Sequence, residues 1–257
     1  MIPKIIQYCW FSGNPLPELA QKCIASWKKY CPDYEIKEWN ESNYDVTKNA
    51  YMYEAYQAKK WGFVPDYARL DIIYEHGGIY LDTDVELLKP LDDLLLNEAF
   101  MGFEDGIHVS PGLAIGAIPR FPLIGELKNG IYDHRLFTKA DGSFDITPSP
   151  QMNTAELVKK GLRQDNSKQM IEGMTIFPTD YFCPKDFETK KLRITKNTVS
   201  IHHFDGSWVS EEDKYRIVLR AKLYKVLPKR LAHKTSKFIA IIKYHGIKKA
   251  FAAALKK

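Results

Sequence analysis

The chain has 257 residues, of which 45% are hydrophobic, and carries 37 Lys and Arg against 32 Asp and Glu, a net charge of +5; that length suits one large α/β domain with an appendage. Cys9, Cys23, Cys31 and Cys183 form no CxxC pair and no Cys/His cluster at zinc spacing, which argues against structural zinc and for ordinary thiols in a reducing compartment. No apolar run reaches the roughly 18 residues that a membrane span needs, and the opening Ile2–Tyr8 is too short for a signal peptide.

The charge is unevenly distributed. Fourteen cations and no acids lie after Asp213, leaving 23 cations against 32 acids, net −9, in residues 1–213. An acidic body gives no reason to expect a nucleic-acid partner, whereas the basic tail suits an anionic surface.

Residues 4–11 read as a strand, central to the sheet, ended by Ser12-Gly13-Asn14-Pro15. From Pro17 the apolar positions Leu19, Ala20, Cys23, Ile24 and Trp27 fall at helical spacing and stop near Cys31-Pro32, and Tyr34–Trp39 is a second strand. This β-α-β opening predicts a parallel pair with a right-handed crossover, hence a Rossmann-like layered sandwich. Neither GxGxxG nor GxxxxGK is present, so a phosphate-bearing ligand needs another grip.

Phe63–Glu86, FVPDYARLDIIYEHGGIYLDTDVE, reads as helix, glycine turn and strand. Phe63, Leu70, Ile73 and Tyr74 form one stripe, and Asp66 and Arg69 fall inside it, so the pair must be satisfied by each other or by a ligand. Gly77-Gly78 caps the helix, Ile79-Tyr80-Leu81 is a buried strand, and Asp82 and Asp84 close it with side chains on one side and no cation nearby in sequence. A divalent cation would relieve that crowding, and hard oxygen ligands suit magnesium or manganese. Each feature taken singly has a plainer reading, a solvated turn for Asp-x-Asp and a structural ion pair for Asp66 and Arg69. Their combination in one short unit favours a site.

Further on, Pro90–Leu96 reads as a short turn and helix, Phe100–Phe103 and Leu113–Ala117 as strands, Phe121–Phe137 as helical, and 140–150 as a loop. Ile171–Phe177 and Thr198–His202 are the last strands of the body. The second delivers His202 and His203, which point to opposite faces, so only one can look into a given site. From Lys214 the chain is helical in period, with a break at Pro228, and forms a basic amphipathic tail whose Phe238, Ile242 and Phe251 could insert into a membrane interface. A solvated packing tail is the alternative.

The segment FVPDYARLDIIYEHGGIYLDTDVELLKPLDDLL resembles the signature of glycosyltransferase family 32, the sugar-binding region containing a DXD motif, and the same pattern occurs in clostridial glucosylating toxins. IPKIIQYCWFSG matches the first strand of these families, and the resemblance covers about the first 210 residues. It implies a GT-A-type fold: a three-layer α/β sandwich with a mixed, mostly parallel sheet, here residues 1–213, followed by the helical tail 214–257. Trp10 would stack on the nucleotide base, although composition alone favours a core tryptophan. Asp66 and Arg69 would hold the donor sugar and phosphate region, with Asp82 aiding metal or ribose. Asp84 and His203 would complete the metal set, and Ser207 and Trp208 would meet the leaving diphosphate. The Thr147–Thr154 segment departs from the family's Thr-Gly-Pro-like turn.

The implied function is retaining transfer of a hexosyl group from a nucleotide sugar, most simply UDP-linked, with Mn²⁺ or Mg²⁺, to a glycan or lipid-linked glycan of a bacterial surface. The expected location is cytoplasmic, on the inner face of the membrane. A glycoside hydrolase would set two carboxylates across a scissile bond instead of clustering three ligands, and a non-catalytic glycan-binding module would have no use for that cluster.

Overall fold

The computed structural model describes residues 1–206 and 210–250. Two compact units divide the chain: residues 1–185 with 193–204, and residues 186–192 with the described residues from 205 onward.

The first unit opens with β1 (Ile5–Cys9), α1 (Glu18–Tyr30) and β2 (Glu35–Trp39), and β1 and β2 pair in parallel from Ile5 opposite Glu35 to Cys9 opposite Trp39. Helix α1 buries Ala20, Cys23, Ile24 and Trp27. The Trp27 ring is fully covered, lies edge-on to Tyr8 at 5.6 Å and donates its indole N–H to the Val85 carbonyl at 2.7 Å. Burial of a ring this size stabilises by roughly 2–3 kcal/mol, and the hydrogen bond removes the penalty of its one polar atom.

Helix α2 (Ala50–Gln57) starts at Asn49, whose side chain accepts from the Met52 N–H at 3.2 Å, a capping signal that the apolar pattern alone does not reveal. Helix α3 (Val64–His76) takes Pro65 in its first turn, where a missing N–H costs nothing, and ends at Gly77 with φ +66°. Strand β3 (Gly78–Tyr80) follows directly. Pairing ends at Tyr80, and residues 82–84 form a turn, closed by Val85 N–H to Asp82 C=O at 3.0 Å, into β4 (Val85–Leu87). The two aspartates therefore meet across a turn and not on an extended strand end, because the chain reverses to let β4 leave the sheet.

Next come β5 (Ala99–Phe103), β6 (Val109–Ser110), β7 (Ile115–Ala117), α4 (Pro122–Tyr132) and α5 (Ser149–Lys159). They are followed by β8 (Gln169–Ile171), β9 (Met174–Phe177), α6 (Thr179–Phe182) and β10 (Ser200–His202). Helix α4 stops before Phe137, which turns inward against Tyr51 and Phe63 at ring distances of 5.4 and 5.2 Å. The single strand expected over Ile171–Phe177 is instead an antiparallel hairpin, because Glu172 and Gly173 adopt φ +44° and +84°, the backbone of a two-residue turn.

The main sheet runs β2-β1-β3-β7-β5-β9-β8, with β6 beside β5. Strands β1, β2, β3, β5 and β9 point one way and β6, β7 and β8 the other, a mixed and mostly parallel sheet. Strand β1 lies one place in from the edge, not at the centre. One face packs on α2, α3, α4 and α5 and the other on α1 and α6, which gives the three layers of an α/β sandwich. Strand β10 pairs only with β4, antiparallel, with His202 opposite Val85.

In the second unit α7 (Glu211–Leu223) and α8 (Lys229–His245) form an antiparallel hairpin. Ser210 caps α7, three acids follow in its first turn, and Pro228 starts α8. Ala232, Ser236 and Ala240 are the buried stripe of α8, and Tyr244 and Tyr224 tie the ends through Glu211 O at 3.1 Å and His233 Nε2 at 2.7 Å. Among the described residues no helix is long and apolar enough to cross a membrane.

Candidate functional site

Strands β1 and β3 are parallel neighbours, so their carboxyl ends share one edge of the sheet, where ligands gather in open α/β folds. Trp10 follows β1 and Asp82 follows β3. Trp10 is half-buried, donates its indole N–H to Asn14 O at 2.6 Å, and lines a cleft of about 420 Å³ with Glu38, Asn40 and Glu41. It forms a wall of an open cleft and packs on its other side against the hydrophobic core.

Asp66 and Arg69, one turn apart on α3, are both about 95% covered. Arg69 Nη2 lies 2.9 Å from Asp66 Oδ1, Nη1 lies 3.5 Å from Asp82 Oδ2, and Nε donates to Pro65 O at 3.2 Å. The charge on Asp82, with no cation near it in sequence, is thus met by one from the preceding helix. Burial lifts the Asp66 carboxyl to about 7 against the opposing pull of Arg69, and Ser149, at the start of α5, hydrogen-bonds it. Burial also raises Asp82, again opposed by Arg69, while Tyr80 donates its hydroxyl to Asp82 Oδ1 at 3.1 Å. Gly112 closes over the pair: its carbonyl accepts from the Asp82 N–H at 3.0 Å, and a Cβ there would stand 2.2 Å from Asp82 Oδ2 and 2.6 Å from Arg69 Nη1.

Asp82, Asp84 and His202 each offer one ligand atom, all within 4.8 Å of one another. His202 Nε2 is 3.2 Å from Asp84 Oδ1. Burial pushes the imidazole down, but Asp84 overrides it and holds the ring well above its ordinary value. The histidine nominated for this set, His203, faces away: its Nε2 meets Glu86 Oε2 at 2.8 Å, and its carbonyl accepts from Lys185 Nζ at 2.9 Å. Successive strand residues alternate faces, and the β4–β10 register turns His202 to the aspartates. Two carboxylate oxygens and an imidazole nitrogen fit a hard divalent cation such as Mn²⁺ or Mg²⁺. Ser207 and Trp208 lie outside the described residues. His202 takes the place expected of His203, and Gly112 and Ser149 join the site unannounced. Only the His-His pair left a trace in sequence, and alternation alone could not choose between its members.

A family profile described as "Glycosyltransferase sugar-binding region containing DXD motif" matches residues 17–101, which hold α1 to β5 with Asp66, Arg69, Asp82 and Asp84. Over this segment the chain carries the pattern of that glycosyltransferase family. It is 27% identical over 152 residues to inositol phosphoceramide mannosyltransferase 1 of Schizosaccharomyces pombe, covering 54% of this chain and 46% of the yeast protein. It is 23% identical over 248 residues to an uncharacterized glycosyltransferase of Acanthamoeba polyphaga mimivirus, covering 85% and 92%. Among solved structures, PaToxG glycosyltransferase aligns at a TM-score of 0.46 and 19% identity, over 62% of this chain and 70% of that one. The chain thus spans less than half the length of the yeast mannosyltransferase it matches.

Proposed function

We propose that this chain is a metal-dependent, retaining glycosyltransferase that moves a hexosyl group from a UDP-linked sugar to a bacterial surface glycan of capsule or lipopolysaccharide type. The observation that carries the reading is one cluster at the sheet's carboxyl edge: Asp82, Asp84 and His202 within 4.8 Å, backed by the buried Asp66–Arg69 pair. Hexosyl transfer accords with the mannosyltransferase relative. We assign the chemistry to residues 1–213 and attachment to an anionic membrane's inner face to residues 214–257.

Asp82, Asp84 and His202 would hold Mn²⁺ or Mg²⁺. When bound, the ion supplies positive charge against the departing diphosphate. Arg69, always charged and fixed by two carboxylates and a carbonyl, presents its fork to the sugar and phosphate region. Asp66 accepts from donor hydroxyls, and Trp10 offers a face to the base, a contact of roughly 1–3 kcal/mol.

Calorimetry of UDP binding tests the proposal. Affinity is expected with Mn²⁺ and should collapse in EDTA and in Asp84→Ala; equal binding in EDTA overturns the metal role. Slow hydrolysis across a panel of nucleotide sugars without acceptor then identifies the donor.

A further inference from the structure

The second unit gathers segments that are far apart in sequence. Residues 186–192 join the α7–α8 turn through the Glu188 to Lys229 ion pair at 2.9 Å. At the other end of the hairpin Lys214 meets Glu211 at 3.4 Å, Arg216 meets Asp213 at 2.9 Å, His245 meets Glu212 at 2.7 Å and Lys243 lies over the Tyr215 ring at 3.8 Å, while Lys248 and Lys249 are exposed with no ion pair among the described residues. Around the turn Lys222, Lys225, Arg230 and Lys234 are exposed and belong to no ion pair among the described residues. Among them stand Val226, 77% exposed, and Leu231, 48% exposed, with Phe187, 40% exposed, on the joined segment. Phe238 and Ile242 are partly covered within the hairpin, and Phe251 lies outside the described residues.

Resting on the membrane reading above, we infer that the protein meets an anionic bilayer with this end of the unit, the turn and the 186–192 segment together, and not with α8 lying flat. Large exposed apolar side chains ringed by unpaired cations fit lipid on both counts. The apolar groups leave water for the acyl boundary, and the cations meet the head-group phosphates. Inserting Phe238 and Ile242 would instead require the hairpin to open.

The test uses full-length protein and vesicles of phosphatidylcholine with and without phosphatidylglycerol. Val226→Asp with Leu231→Asp should weaken binding to the anionic vesicles by about tenfold or more, as loss of two buried apolar groups implies. Val226→Trp should bind as the parent does, and its added emission should shift to the blue on those vesicles only. If the parent fails to bind at low salt, the membrane reading itself falls. If the parent binds while the double variant binds equally well and the Val226→Trp emission does not move, this inference falls and the membrane reading stands. Binding to heparin that matches vesicle binding and is indifferent to the double variant assigns the surface to polyanions in general and overturns it.

Discussion

Arg69 meets carboxylates from two different elements, and both contacts depend on the flatness and fixed spread of its guanidinium. Lysine would keep the charge but offer one point in place of a fork. Arg69→Lys is therefore expected to lower kcat by about 10²-fold while circular dichroism stays that of the parent. An unchanged turnover would return Arg69 to the role of a structural partner of Asp66. Gly112 makes the complementary case. The atoms that an added Cβ would strike are the far ends of Asp82 and Arg69, so they can yield at small cost in stability, yet yielding moves the very groups that define the site. Gly112→Ala should weaken metal-dependent UDP binding by about tenfold or more with little change in melting temperature.

At the scale of elements, the α3–β3 junction sets the distance between the Asp66–Arg69 pair and the aspartates. Gly77 makes that junction possible twice over: its φ is +66°, and an added Cβ would meet Pro119 Cδ at 2.7 Å and Ala117 O at 2.9 Å, the latter a backbone atom that cannot rotate away. Gly77→Ala should destabilise the protein by roughly 1–3 kcal/mol, read as a lowered urea midpoint. The β4–β10 pair does comparable work for the histidines. A one-residue slip of its register would exchange His202 for His203 at the aspartates.

Across the whole molecule, Asp71 joins three segments through one carboxylate: Tyr44 Oη at 2.8 Å, Lys48 Nζ at 3.1 Å and Lys128 Nζ at 3.0 Å. Burial pushes the carboxyl up, but Tyr44, Lys128 and Lys48 together outweigh it and hold it below its ordinary value. A depressed folded-state pKa means that the stabilisation is complete above the unfolded value of about 3.9 and is lost as pH falls through the lower folded value. Thermal melts of the parent and Asp71→Asn should therefore differ most above about pH 5 and converge only as pH falls through the lower folded value. A gap that stays constant with pH would show that shape, and not charge, is what Asp71 contributes.

Local pattern was enough for much of this protein. The β-α-β opening, the α1 stripe, the glycine stop after α3 and the odd placement of Asp66 and Arg69 inside an apolar stripe all follow from periodicity and backbone sterics, which act over a few residues. The uneven charge, with every cation after Asp213 unmatched by a following acid, is likewise a property of the string. What needed the tertiary structure was every relation set by pairing or long-range packing. The choice of His202 over His203 depends on a strand register with β4, and the cation beside Asp82 comes from α3, thirteen residues earlier. The two-residue turn at Glu172-Gly173 splits into a hairpin what reads as one strand, because the two positive φ angles reverse the chain between Ile171 and Met174. In the second unit, helical period could name the apolar residues but not which of them the hairpin would cover. Only packing of α7 on α8 left Val226 and Leu231 in water and drew Phe238 and Ile242 partly out of it.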